Sequence, residues 1–139
     1  MMIWQRCVLL LPILLLMVGC GATDTKAAAP VPTTMEVTRS SVQNRLPPFS
    51  RTVTDTNAVQ KLYTAAQNLP RAGVQRWLCP LPSTIVYHVR FLEGKTVLQQ
   101  WNMDAIGCSV LLLHKNDPRR LNAAFVSLFA KTIGLMKLY

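Results

Sequence analysis

The chain has 139 residues, 50% of them hydrophobic, with fifteen Lys and Arg against six Asp and Glu and a formal net charge of +9. Such a charge attracts anionic surfaces. The basic residues are scattered, however, with only Arg119 and Arg120 adjacent, and no aromatic residues interleave with them, so the usual footprint of a nucleic-acid interface is missing.

The first segment reads as a leader. Arg6 precedes an apolar run from Val8 to Val18 that closes on Gly19 and Cys20, the layout of a secretory signal peptide over 1–19. As a helix the run spans about 16 Å, half of a ~30 Å hydrocarbon core, too short for a transmembrane anchor. A cysteine directly after the cut resembles the lipobox of bacterial lipoproteins, with Met17 where such motifs usually carry Leu. The likeness implies a lipid on Cys20, which becomes the mature N-terminus, with two or three acyl chains where one alone binds marginally. Cleavage between Ala22 and Ala29 by a general signal peptidase is the alternative and gives a diffusing secreted protein. Loss of 1–19 removes Arg6 and no acidic residue, leaving a charge of +8. Residues 20–35 are small, polar and proline-bearing, the composition of a lipidated cysteine followed by a flexible tether. A single domain is expected over 36–139.

Within it, Met35 to Arg39 reads as extended and Phe49 to Thr54 as a short strand. Asp55 is a natural N-cap for a helix to about Asn68, with Val59, Leu62, Tyr63, Ala66 and Leu69 on one face. Pro70 and Gly73 stop it. After a loop holding Cys79, Pro80, Leu81 and Pro82, Ser83 to Leu92 alternates as a strand. Glu93-Gly94-Lys95 turns, and Thr96 to Met103 returns with Val97, Trp101 and Met103 on one face. The dense apolar run Cys108 to His114 suits a central strand. Asp117 as N-cap and Pro118 at the first helical position open a final helix that buries Leu121, Phe125, Leu128, Phe129, Ile133 and Met136. The order β-β-α-β-β-β-α predicts an α+β fold: an antiparallel sheet of four to five strands with two helices on one face.

Cys7 falls in the leader and Cys20 at the lipid site, leaving Cys79 and Cys108 as an even pair in an exported, oxidising setting. A disulfide is the default there, and closing a loop of about thirty residues contributes on the order of 3 kcal/mol. A metal site from Cys79, Cys108, His88 and His114 lacks zinc-motif spacing, so neither metal nor cofactor is expected.

No catalytic set stands out. His88 and His114 are the only histidines, and His88 falls on a strand face with Arg90, which suits a solvated residue. Asp55, Asp104 and Asp117 occupy caps or turns, while Glu36 and Glu93 have nothing to bring them together. There is no G-x-S-x-G elbow and no glycine-rich phosphate loop. An enzyme is therefore not expected. Tyr87, Trp101 and Met103 at strand spacing read as core rather than as a ligand pocket.

Leu62-Tyr63, Leu69-Pro70, Cys79-Pro80, Tyr87-x-Val89-x-Phe91, Asp104-Ala105 and Gly107-Cys108 followed by Val110 resemble a group of small uncharacterised bacterial lipoproteins, over residues 52–113. The resemblance implies an exported fold with one disulfide and carries no activity. A helix, a cysteine-proline loop, two strands and a second cysteine are also similar to the subtilisin-inhibitor family. That likeness makes Leu81 the residue presented to a protease, although Pro82 follows it directly and the family's other disulfide has no counterpart. The expected protein is thus a cell-envelope lipoprotein outside the cytoplasmic membrane, held through Cys20. Its non-catalytic domain has a binding role with an unidentified ligand, an anionic envelope component or another protein being the candidates, or a structural role in the envelope, with no nucleic acid among its partners. The alternative is a secreted protease inhibitor acting through Cys79-Pro80-Leu81-Pro82.

Overall fold

The computed structural model describes residues 29–41, 46–73, 85–105, 107–114 and 117–138. Six strands and two helices follow in the order β1 (Thr34–Ser41), β2 (Phe49–Val53), α1 (Thr56–Gln67), β3 (Ile85–Glu93), β4 (Thr96–Asp104), β5 (Val110–Leu112), β6 (Pro118–Arg120) and α2 (Ala123–Thr132). The strands form one antiparallel sheet in the order β2-β1-β3-β4-β5-β6. The α+β class and both helices match expectation; the sheet has six strands rather than four to five.

Period-two alternation sends Met35 and Val37, then Tyr87, Val89 and Phe91, then Trp101 and Met103 to one face of the sheet. Val59, Leu62 and Ala66 of α1 and Phe125, Phe129 and Ala130 of α2 close over that face to form one core. Its centre is aromatic: Phe91 and Trp101 lie 4.1 Å apart between ring centroids, and Tyr63 of α1 stacks on Trp101 at 5.8 Å. Each fully buried large side chain contributes roughly 1.5–3 kcal/mol. Tyr87, Trp101 and Met103 are therefore core residues. Tyr87 also donates its hydroxyl to the Leu138 carbonyl at 2.6 Å, holding the last described turn of chain against the sheet.

The extra strand arises where the sequence pattern pointed to a helix start. Asp117 caps no helix. Its carboxylate accepts from Arg119 Nε and Nη2 at 3.0 and 2.9 Å, and this turn leads into β6. Asn122 is the N-cap of α2, its Oδ1 accepting from the Phe125 amide at 2.8 Å. Pro118 fits β6 because proline is tolerated at the margin of a sheet, where no neighbour needs its absent N–H. Residues Pro70–Ala72 then cover that margin: Arg120 N donates to Pro70 O at 2.8 Å and Ala72 N to Pro118 O at 2.9 Å.

Three further expectations change. Cys108–His114 yields only the three-residue β5, because the Asp104 carboxylate accepts the amides of Gly107 (2.8 Å) and Cys108 (3.0 Å) and Ser109 takes a left-handed φ of 52°. Val97 leaves the face of Trp101, since the register skips Leu98 and brings Gln99 into phase instead. Gln99 is buried there, joining Gln67 of α1 to the Leu113 carbonyl. Met136 is fully exposed, as α2 ends at Thr132 and Gly134 turns the chain at φ 72°.

Candidate functional site

Among the residues singled out in the sequence, Cys20, Cys79, Pro80, Leu81 and Pro82 lie outside the described residues. Cys108 is half-buried and disulfide-bonded; the pairing with Cys79 falls outside the described residues. His88 and His114 are exposed. No group of three His, Cys, Asp or Glu among the described residues could hold a metal ion, and no helix among them is long and apolar enough to cross a membrane.

The sheet face turned away from the helices is solvated and polar. Antiparallel register lines up Ser50, Thr38, His88 and Asn102 across four strands, with Thr52, Glu36, Arg90 and Gln100 in the next row. Arg90 Nη1 pairs with Glu36 Oε2 at 3.0 Å. His88 Nδ1 lies 2.8 Å from Asn102 Oδ1 and its Nε2 lies 3.0 Å from Ser40 Oγ. Asn102 Oδ1 can only accept, so it takes the Nδ1 hydrogen, and Ser40 Oγ, which also donates to Val86 O at 3.4 Å, meets Nε2. The order nucleophile, base and orienting group is that of acyl-transfer relays. Acyl transfer also requires a recess for the substrate and donors at the developing oxyanion. Ser40, His88 and Asn102 lie on an open sheet face and line neither of the two clefts described below. The three are a cross-strand hydrogen-bond ladder on present geometry.

A cleft of about 520 Å³ opens between the end of β2, the first turns of α1 and the last turn of α2. Arg51, two residues before the buried Val53, projects to the helix side of β2. Its guanidinium passes over Gly134, where a Cβ would stand 2.7 Å from Nη1. Ala58 and Lys61 share one side of α1, and Leu128 and Lys131 one side of α2, at the three-residue spacing of a helix face. Thr52, Thr54 and Thr132 complete the wall with Asp55. The Asp55 carboxylate is committed to the α1 N-cap, accepting from the Ala58 amide at 3.1 Å. Arg51, Lys61 and Lys131 have no ion pair or hydrogen bond among the described residues. Three like charges in one recess, beside the positive end of a helix with no acidic residue in its first turn, raise a field that a bound anion would relieve. Of similar size is a second, mixed cleft where Leu121, Val126, Met136 and Leu138 meet Ser109, Asn122, Ser127 and Lys137.

The chain reaches the domain beside the cationic cleft. Thr33 donates its amide to Leu92 O at 2.8 Å and accepts the Thr56 hydroxyl on its own carbonyl at 3.3 Å, so residue 33 touches the first turn of α1. No family model, curated protein or solved structure matches the chain. The likenesses drawn from its cysteines therefore stand on the sequence alone. Sequence reasoning missed the cleft, whose cations lie far apart in the chain on one strand and two helices. The net charge signalled an anionic partner without saying where.

Proposed function

We propose that this is an exported protein, anchored at the outer side of the membrane by lipid on Cys20 through a tether that ends before β1. Thr34 and Met35, expected in the tether, open that strand, and Met35 is buried in the core. Its disulfide-stapled domain is a non-catalytic binding module for an anionic component of the envelope. The observation that carries the binding role is the cleft in which Arg51, Lys61 and Lys131 converge unpaired at the end of the domain where the tether arrives. The disulfide of Cys108 is proposed to run to Cys79.

Intact mass of the protein extracted from its native membrane tests the anchor. A diacylglyceryl mass on Cys20 is expected, with Cys79 and Cys108 alkylated only after reduction. A mass beginning between Ala22 and Ala29 would replace the anchored protein with a secreted one. Turnover of an activated ester by the same preparation, abolished by Ser40→Ala, would make the domain a hydrolase and end the non-catalytic reading.

A further inference from the structure

We infer that the cationic cleft takes the phosphate group of anionic phospholipid in the bilayer that holds Cys20, so that the domain rests on its own membrane by the α1 N-terminal end. The inference builds on the anchored reading and adds a ligand and an orientation to it. The chemistry points to phosphate in three ways. Arg51 offers a planar fork that fits two oxygens of a tetrahedral anion, while Lys61 and Lys131 bring point charges from two other elements. Thr54, just past the end of β2, adds a hydroxyl at the wall. With Asp55 counted, two positive charges remain in excess, enough for a phosphodiester.

The bilayer is favoured as the source of that phosphate by position. Twelve residues lie between Cys20 and Thr33, thirteen Cα steps that fully extended reach about 45 Å. The chain then meets the domain at the cleft itself, so headgroups stand at high effective concentration there. A second, independent feature marks the same end. The two large apolar side chains exposed among the described residues are Val31 and Met136. Val31 lies two residues before Thr33, which touches α1, whereas Met136 belongs to the second cleft. An exposed apolar side chain beside unpaired cations suits a surface that settles into the headgroup region.

The mature chain 20–139 carrying Cys20→Ala keeps every described residue and has no lipid of its own, so its partition onto vesicles reports the cleft and not the anchor. Vesicles of phosphatidylcholine with phosphatidylglycerol should bind it at least tenfold more tightly than phosphatidylcholine alone, and Lys61→Gln/Lys131→Gln should lose about tenfold or more of that binding. Both lysines are exposed and unpaired, so thermal unfolding of the double variant should match the parent. Val31→Ser should weaken binding to the mixed vesicles by a smaller factor. Equal partition onto both vesicles, or a double variant that binds as the parent does, would overturn the inference. Inorganic phosphate that binds the soluble chain as tightly as the mixed vesicles do would overturn it too, making the site one for free phosphate. The mass at Cys20 of the native protein judges the anchor separately.

Discussion

Asp117 shows how far a single side chain can depart from what its neighbours in sequence suggest. Asn116-Asp117-Pro118 carries the local chemistry of a helix start, but Arg119 captures the carboxylate with two hydrogen bonds, and Arg71 lies 3.6 Å away. Arg119 Nη1 meanwhile donates to the carbonyls of Gln67 and Leu69, tying β6 to the end of α1. The hydrogen bond from Arg119 is the first cause holding the Asp117 carboxyl below the ordinary aspartate value of 3.8, burial opposing it. A carboxyl depressed in the folded state gives stability that is present above the ordinary value and lost as pH falls through the folded one. Urea midpoints should therefore be flat near neutrality and decline below about pH 4, and Asp117→Asn should flatten that decline while lowering the neutral midpoint. Tyr87 is a second such residue. Tyr87→Phe leaves the Leu138 carbonyl buried without its donor and should cost about 1–3 kcal/mol in denaturant unfolding. The exposure of His88 was legible in its strand pattern. Its partners were not, because Ser40 and Asn102 stand 48 and 14 residues away.

At the scale of elements, legibility followed length and periodicity. The helix α1 carries its own signals: Asp55 caps it, and Val59, Leu62 and Ala66 repeat at helical spacing onto the core. The hairpin of β3 and β4 reads equally well, with Gly94 at φ 59° in its tight turn. By contrast, β5 keeps only three residues of the run Cys108–His114 that reads as a longer strand, and β6, three residues held by partners outside itself, has no signal in its own window. The segment Pro70–Ala72, which reads as a helix stop, goes on to cover β6. Ala72→Pro removes the amide that donates to Pro118 O and should loosen that margin first. Hydrogen exchange at the β5 and β6 amides should accelerate while protection in β3 and β4 holds; uniform loss of protection would mean that the covering segment supports the whole sheet.

For the whole molecule, the order of elements in the sequence indicated the α+β class and the net charge led to the expectation of an anionic partner, whereas the place where charge concentrates emerges only on folding. Arg51, Lys61 and Lys131 read separately as a strand residue and two solvated helix residues; packing of β2, α1 and α2 makes them one recess. The sheet itself is asymmetric in its margins. Pro70–Ala72 closes one side, while β2 pairs only with β1 and leaves its outer backbone groups unpaired among the described residues. An edge strand with free backbone groups is where a second chain can add. If two copies meet by backbone pairing, β2 against β2 about a two-fold axis is the arrangement that the described residues favour.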